Sequence, residues 1–415
     1  MDQMLHWAIL WEWVETAARW THVITAIAWI GSSFYFIALD LGLHRDRNLA
    51  SGADGEEWQV HGGGFYHIQK YLVAPASMPD HLVWFKWESY ATWLTGFVML
   101  FLVYYMGAEL YLIDPNVADL AIWQAVGISV GSLAFGWLAY DRICKTRFGD
   151  DNTRLMLLLY VLLVATSWAY TQVFTGRAAL LHLGAFTGTI MSANVFFIIM
   201  PNQRIVVADL KAGRKPDPKY GKIAKQRSTH NNYLTLPVLF LMLSNHYPLV
   251  FATQYNWLIA ALVFLMGVTI RHYFNSQHSR SGNPTWTWLA TVILFILIAW
   301  LSSVPRADEV PQQAGLRGEA PQYANADGFA EVSDIVMGRC AMCHAAEPGW
   351  EGMHRPPKGV ILESPEQIAA AARRIYAQAG VSHAMPPANL SYMEPQERAA
   401  IVRWFEGAGQ SGVDS

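Results

Sequence analysis

Two of the three cysteines in the chain lie in the stretch RCAMCHAAEP, at Cys340 and Cys343, and His344 follows them directly. The spacing Cys-x-x-Cys-His is the attachment signature of a c-type haem, in which the thiols bond to the haem vinyl groups and the histidine ligates the iron. A redox dithiol does not need the histidine, and a zinc site needs two more ligands nearby, where no further cysteine is available. The pattern therefore predicts one covalent haem c.

The second axial ligand of this iron should lie tens of residues downstream, on a loop that covers the open haem face. The stretch SHAMPPANLSYM provides Met385, and the two prolines that follow it stiffen the backbone. His383, Met393 and Met353 are the alternatives. A Met-Pro-Pro sequence after a short helix resembles the distal loop of class I cytochromes c, which favours Met385. Histidine–methionine ligation raises the iron potential and suits electron transfer.

The surroundings of this motif predict a small helical domain. The stretches DGFAEVSDIVMGR, SPEQIAAAARRIYAQAG and EPQERAAIVRWFEGA have helical periodicity. Pro356 and Pro357 lie where class I domains present a backbone carbonyl to the proximal imidazole. Residues 325–415 are therefore predicted to form a cytochrome c domain. Residues 305–324, rich in Pro, Gly and polar side chains, are predicted to be a flexible linker.

Residues 1–304 are too apolar for an ordinary soluble domain. The 415-residue chain is 53% hydrophobic and 15% charged, with 18 tryptophans and a mean hydropathy of +0.19. Its net charge of −3 gives no general basic field, so nucleic acid is not an expected partner. The fold class predicted is all-α: a polytopic membrane bundle of about eight transmembrane helices followed by the cytochrome c domain. The predicted spans, each approaching the ~20 residues that cross a bilayer, cover residues 16–39, 82–106, 119–140, 154–174, 178–200, 232–247, 253–273 and 284–304.

The distribution of Lys and Arg between the loops fixes the expected orientation. With eight spans and an external C-terminus, the N-terminus is also external, and the short external loops then contain only Arg177. Haem attachment of the c type takes place outside the cytoplasmic membrane. We therefore expect a multi-pass protein of the bacterial inner membrane with its N-terminus and cytochrome c domain in the periplasm.

Ionisable side chains at membrane depth are costly, so they suggest an activity beyond anchoring. They fall into two layers. The outer layer contains Arg19, His22, Arg177, His182, Asn245 and His246. The inner layer contains Glu88, His230, Asn231, Asn232, Arg271, His272, Asn275 and His278.

The first hydrophobic stretch, RWTHVITAIAWIGSSFYF, resembles the opening helix of several b-haem membrane proteins, including a class of membrane-bound protoporphyrinogen oxidases. The shared features are His22, Trp29 and Gly31. His22, His182 and His246 are accordingly candidate ligands of a non-covalent haem b. The alternative is that each histidine is hydrogen-bonded within the helix packing.

The loop WQVHGGGFYHIQKY contains three consecutive glycines around Gly63. Successive backbone N–H groups without side chains can converge on an anion or a polarised carbonyl. The alternative for such a run is a flexible turn.

The whole chain resembles the membrane-bound, cytochrome c-linked urate oxidases (urate hydroxylases) of bacterial purine catabolism. The resemblance is carried by HGGGFY, FKWESYATWLTGF, IMPNQR, STHNNYLTLPVLFLMLSNHYP and NSQHSRSGNPTWTWL, followed by the fused cytochrome c. It implies oxidation of urate to 5-hydroxyisourate, with the electrons passing to the cytochrome rather than directly to oxygen. From there they would reach a soluble cytochrome c or a terminal oxidase.

The chemistry of urate indicates what its site must contain. Urate is a planar purine anion, and its oxidation needs a cation, a proton acceptor, donors for the carbonyls and an aromatic face. The inner layer offers Glu88, His230 and Arg271 as base or anion clamp and Asn231, Asn232, Asn275, Trp84 and Gly63 as substrate contacts. An outer site would instead use Arg19, Arg177, His182 and His246, beside haem c.

Two alternatives to urate oxidation belong to other functional classes. One is a quinol-linked or relay cytochrome without substrate chemistry of its own, and the other is a haem or porphyrin oxidase.

An inner urate site would also need an intermediate cofactor, because haem c would lie across a hydrocarbon core of about 30 Å.

Overall fold

The computed structural model describes residues 7–45, 49–71, 79–114, 117–303, 320–350, 353 and 356–411. Up to residue 303 the described chain is mainly helical. Its α-helices are α1 (Trp7–Gly42), α2 (Trp87–Leu100), α3 (Ala108–Tyr111), α4 (Ile122–Cys144), α5 (Asn152–Thr171), α6 (Gly176–Ala193), α7 (Met200–Lys211), α8 (Pro218–Ser244), α9 (Pro248–Phe251), α10 (Asn256–His278) and α11 (Trp286–Ser303). Helix α2 continues as a π-helical segment, Phe101–Tyr105, and a second one, Asn194–Ile199, joins α6 to α7.

Six helical segments of the described chain are long and apolar enough to cross a membrane. They are Ile9–Gly42, Ile122–Cys144, Asn152–Thr171, Gly176–Lys211, Asn256–His278 and Trp286–Ser303. This is consistent with a multi-pass membrane protein. The other two predicted spans, 82–106 and 232–247, overlap α2 and α8, but α2 has only 14 α-helical residues and α8 begins with a polar half. The count of eight therefore stays a prediction.

A β-hairpin, which the all-α prediction did not include, lies between α1 and α2. Its strands β1 (Ala53–His61) and β2 (Gly64–Tyr71) pair antiparallel, with Trp58 opposite His67. Gly62 and Gly63 both have positive φ and form the two-residue turn that such a hairpin requires. The predicted glycine run is therefore a hairpin tip.

Helices α6, α8 and α10 pack closely at the centre of the bundle, and glycines permit the approach. A Cβ on Gly267 of α10 would lie 2.5 Å from Cδ of Pro237 in α8, and one on Gly184 of α6 would lie 3.0 Å from Cβ of Leu241. Close contact of helix backbones through small residues is the usual means of association in lipid. These crossings fix the rotation of α8, which carries His230, Asn231 and Asn232.

The C-terminal part forms a second helical body around its own apolar core. Its elements are α12 (Ala320–Ala324), α13 (Phe329–Arg339), α14 (Ala341–His344), a 3₁₀ turn (Pro357–Gly359), α15 (Pro365–Ala370), α16 (Ala372–Ile375) with a π-helical continuation (Tyr376–Val381), a second 3₁₀ turn (Pro387–Asn389) and α17 (Pro395–Ser411). Trp404 is 2% exposed and its indole N–H donates to the Tyr323 carbonyl at 2.9 Å. Helix α12 thus joins this core, although it falls within the predicted linker 305–324; residues 305–319 of the linker lie outside the described chain.

The two parts meet at the end of the bundle where α1 begins. A Cβ on Gly359 would lie 3.0 Å from the Phe251 ring, and the φ of Gly359 is +70°, so glycine satisfies both the close approach and the backbone conformation. Arg374 Nη2 lies 3.9 Å from Glu15 Oε1 of α1. The last turn of α11 reaches the same end, since the Leu301 carbonyl accepts a hydrogen bond from Thr253. Because α1 begins and α11 ends at the same end of the bundle, the chain must cross a membrane an even number of times from the start of α1 to the end of α11.

The Gly267–Pro237 contact generates a stability prediction. Gly267→Ala places a methyl group against Pro237 and should lower the free energy of unfolding in detergent by about 1–3 kcal/mol. Gly127 of α4 has no atom within 4 Å of a built Cβ. Gly127→Ala should therefore change stability by less than about 1 kcal/mol. Thermal unfolding of both variants measures this, and equal midpoints would contradict the proposed crossing.

Candidate functional site

The predicted haem attachment residues lie together on one helical turn. Cys340 follows α13, and its carbonyl accepts hydrogen bonds from the backbone N–H groups of Cys343, at 3.1 Å, and His344, at 2.9 Å. Burial, followed by the neighbouring Cys343, raises the pKa of the Cys340 thiol to about 11. Both thiols are free. The turn thus presents two thiols and an imidazole from five consecutive residues, as covalent haem attachment needs.

The imidazole of His344 is oriented by a backbone carbonyl. Its Nδ1–H donates to the Val360 carbonyl at 2.8 Å, which leaves Nε2 with the lone pair that a metal requires. Burial lowers the pKa of His344, against the opposing effect of the Val360 hydrogen bond, so the ring is neutral. The carbonyl comes from the segment predicted to supply it, three residues beyond Pro357.

Met385 lies in a loop whose backbone is held at both ends. Its N–H donates to the Gln378 carbonyl at 2.9 Å, and its carbonyl accepts from the buried guanidinium of Arg398 at 2.8 Å. Of its rivals, Met393 is 2% exposed within the C-terminal core, and His383 is exposed with a positive φ. Met353, the third alternative, is half-buried. These contacts hold the backbone at Met385, which stays the predicted distal ligand.

An ion pair connects the attachment turn to the distal loop. The Arg339 guanidinium lies 2.9 Å from Glu397 of α17 and donates to the Ser391 carbonyl at 3.0 Å. Burial alone would raise the pKa of Glu397, but hydrogen bonds from Arg339 and from the Glu394 backbone N–H lower it. The pair is therefore charged at neutral pH.

The inner-layer residues of α8 contact three different helices. His230 Nδ1 lies 2.7 Å from the Tyr140 hydroxyl of α4, and Asn231 Nδ2 donates to the Met191 carbonyl of α6 at 2.9 Å. Asn232 Nδ2 donates at 3.2 Å to Asn275 Oδ1 of α10. Three consecutive polar residues thus make α8 the polar centre of the bundle.

Two of the predicted inner residues extend this network, and one stays apart from it. Asn275 Oδ1 also accepts from Arg271 Nη2 at 3.0 Å, so Arg271, Asn275 and Asn232 form one chain. Glu88 lies in the first turn of α2, and its Oε2 is buried without a hydrogen-bond partner among the described residues. Its neighbour Ser89 contacts Ser192 of α6 at 3.1 Å, which places the start of α2 against α6.

Several buried polar atoms of this layer lack hydrogen-bond partners within the described chain. They are Glu88 Oε2, Asn194 Oδ1, Arg227 Nε and Nη1, His230 Nε2, Asn232 Oδ1 and Arg271 Nε. Each such atom costs about 1–3 kcal/mol unless a ligand or water satisfies it. The inner layer can therefore hold a polar ligand.

Four members of the inner network, Tyr140, Asp141, Asn194 and Arg227, were not predicted. Asn194 Nδ2 lies 3.2 Å from both the Tyr140 hydroxyl and Asn231 Oδ1. Arg227 pairs with Asp141 at 2.9 Å, and its guanidinium lies 4.8 Å from the centre of the Tyr140 ring. Arg227 precedes His230 by three residues, so both lie on one face of a helix. This spacing could have indicated from the sequence that Arg227 belongs to the same polar network.

Two predicted substrate contacts lie elsewhere. Gly63 is at the exposed hairpin tip, where a built Cβ meets no atom within 4 Å. Trp84 is half-buried in the irregular segment that precedes α2.

Two of the three outer-layer histidines are engaged in helix packing, whereas His246 is exposed in the turn that follows α8. His182 is fully buried, its Nδ1–H donates to the Ala178 carbonyl at 2.8 Å, and its Nε2 accepts from the Ser129 hydroxyl at 2.8 Å. His22 Nδ1 lies 3.1 Å from the Thr95 hydroxyl. A haem iron at His182 would have to displace one of these bonds. Within the described ranges, no three His, Cys, Asp or Glu side chains are grouped as they would be for a metal ion.

Met385 gives the first prediction for this site. Met385→Ala should leave the haem covalently attached but lower its potential and abolish the near-infrared band of methionine-ligated ferric haem. His383→Ala is the matched control and should leave both unchanged. The measurement is redox titration with optical spectra of full-length protein. A band that persists in Met385→Ala would assign the ligand to Met393 or Met353, whereas a wild-type spectrum without the band and a potential that changes only in His383→Ala would assign it to His383.

The Arg339–Glu397 pair gives a prediction on pH. Because the pKa of Glu397 is lowered on folding, the pair stabilises the protein above the unfolded pKa of about 4.3. This contribution is lost as the pH falls through the folded pKa. Arg339→Gln should lower stability slightly at pH 7, because the pair is partly exposed and screened by solvent, and by less in acid. Haem-detected unfolding across this range tests it; an equal loss at all pH values would contradict the assignment.

Comparison with known proteins adds the family of the membrane part. The family described as urate oxidase N-terminal matches residues 8–302. Neither the curated proteins nor the solved structures compared gave a match. The matched region includes every membrane-spanning candidate and the whole inner network, and it covers more than half of the chain. The chain belongs to the urate oxidase N-terminal family.

Proposed function

We propose that this protein is an integral membrane oxidoreductase that oxidises urate to 5-hydroxyisourate and passes the electrons to a haem c held by its own C-terminal domain. The proposal rests on one observation: the same chain contains a urate oxidase family region and a Cys-x-x-Cys-His turn whose histidine is oriented by the Val360 carbonyl. From haem c the electrons leave for a soluble cytochrome c or a terminal oxidase. The haem domain lies in the periplasm, and the protein in the bacterial inner membrane.

The reaction sets what the side chains must do. The urate anion loses two electrons and one proton to give dehydrourate, and water then adds at C5 to give 5-hydroxyisourate. Haem c, when bound by Cys340, Cys343, His344 and Met385, supplies a one-electron acceptor. The protein must neutralise the anion, accept the proton and hold the purine plane.

The inner layer contains groups of these types in Glu88, His230, Arg271 and the three asparagines, and their unpartnered atoms support a ligand there. As a reaction site, however, the inner layer is far from haem c. His230 lies 14 positions before Ser244, the last residue of α8, which corresponds to about 21 Å along the helix. An inner urate site therefore needs an intermediate carrier, such as the haem b for which His22, His182 and His246 are the candidate ligands.

Anaerobic reduction tests the function directly. Urate added to oxidised full-length protein should reduce two equivalents of haem c per urate consumed, because each haem accepts one electron. The Cys340→Ala/Cys343→Ala double variant should bind urate but oxidise it only with an added acceptor. Pyridine haemochrome analysis should show one covalent haem c per chain, and it also measures how much haem b is bound.

Reduction of haem c by a quinol but never by urate would reject the proposal in favour of a relay cytochrome. Consumption of a porphyrinogen would instead favour a porphyrin oxidase.

A further inference from the structure

Positive charge is concentrated where the membrane part meets the C-terminal domain. We call the four basic side chains there the junction cluster: Arg19 of α1, Arg177 of α6, Lys358 of the 3₁₀ turn and Arg374 of α16. Glu12 of α1 acts on Lys358, and Glu15 of α1 lies 3.9 Å from Arg374.

Two guanidinium groups of the cluster, one from each part of the chain, approach the same aromatic ring. The Cζ atom of Arg177 lies 4.4 Å from the centre of the Tyr111 ring, and that of Arg374 lies 4.5 Å from it. Arg177 also lies 5.9 Å from the Tyr104 ring. The arrangement combines cations with the faces of two buried tyrosines, as a planar anion requires.

Arg177 is the least compensated member of the cluster. It is 8% exposed, and its Nε and Nη1 atoms have no hydrogen-bond partner among the described residues. The hydroxyl of Tyr104, 3% exposed, also lacks one. The contacts of this buried guanidinium are with the aromatic residues Tyr104 and Tyr111, which compensate its charge only in part. Three unpartnered donors among neighbouring cations therefore favour an anionic ligand.

The like charges in the cluster repel one another, which raises the free energy of their charged forms. Burial, then Arg374, Arg19 and Arg177, lower the pKa of Lys358. A bound anion would relieve this repulsion.

We propose that the junction cluster binds an organic anion and, resting on the function proposed above, that this anion is urate at the point of oxidation. Arg177 and Arg374 neutralise the purine, Tyr104 and Tyr111 lie beside it, and its proton passes to the solvent that reaches this end of the bundle, where Lys358 is exposed. The carboxylates of haem c have the same chemistry as ligands of these cations. They are the competing source of the anion.

The position of the cluster suits electron transfer to haem c. Lys358 is two residues from Val360, whose carbonyl orients the proximal ligand His344. Gly359, between them, packs on Phe251, and the Phe251 carbonyl accepts from Asn256 at 3.0 Å in the bundle. Electrons from urate at this place need no carrier across the membrane, in contrast to the inner layer.

Urate binding to full-length protein tests the assignment. With haem c reduced beforehand, urate binds without being oxidised, and equilibrium dialysis of labelled urate gives Kd. Arg177→Gln and Arg374→Gln should each raise Kd about 10-fold or more, the usual effect of losing a charge-assisted hydrogen bond. Arg177→Lys should recover part of the loss. Arg403→Gln, which removes an exposed cation of α17, is the control and should leave Kd unchanged.

Redox potential and haem content separate the two sources of the anion. If urate is the ligand, Arg374→Gln, which changes only the C-terminal domain, keeps the haem content and shifts Kd for urate. An unchanged Kd in all cluster variants overturns the proposal, and a shifted haem potential in the same variants would then identify the haem carboxylates as the anion.

Failure of the proposed function gives a different result. Wild-type protein that binds urate through the cluster without reducing haem c would retain the anion site and reject the oxidation. Wild-type protein that binds no urate would reject both.

Discussion

The contact between the turn Pro357–Gly359 and Phe251 determines how the two parts of this protein can act together. Three consecutive residues at this place have three separate tasks: Lys358 contributes charge to the junction, Gly359 contacts the bundle, and Val360 orients His344. Because the chain is continuous through them, a displacement of the contact would also displace the imidazole. The orientation of the proximal ligand is thereby tied to the docking of the domain.

The polar interior of the bundle follows from a different constraint. A polar group among lipid-facing helices needs a partner from another helix, since water is absent there. Helix α8 meets this condition by presenting His230, Asn231 and Asn232 in three directions, towards α4, α6 and α10. The glycine crossing at Pro237 brings α10 near enough for the third of these bonds. The buried polar atoms that remain without partners belong to several helices. A single ligand that formed hydrogen bonds with them would therefore hold four helices together.

Local sequence patterns were sufficient for the features that depend on neighbouring residues. The Cys-x-x-Cys-His motif occupies five consecutive positions, so one turn of helix fixes its geometry, while its binding of haem stays a prediction. The apolar stretches likewise overlap helices. The hairpin Ala53–Tyr71 was missed because three glycines were given a ligand-binding role, although two of them simply provide the positive φ of a tight turn. Asn194 and Tyr140 were missed because their partners on α8, Asn231 and His230, are distant in sequence.

The junction cluster shows why such a site is outside the reach of local patterns. Arg19 and Arg374 are separated by most of the chain, and only the docking of the C-terminal domain brings their charges together. That dependence has an energetic consequence for the proposed anion. A ligand held by cations from both parts binds more tightly when they are docked, and by linkage it stabilises docking by the same free energy. Urate bound at this place would therefore hold its own electron acceptor in position, whereas an anion bound by Arg19 and Arg177 alone would not.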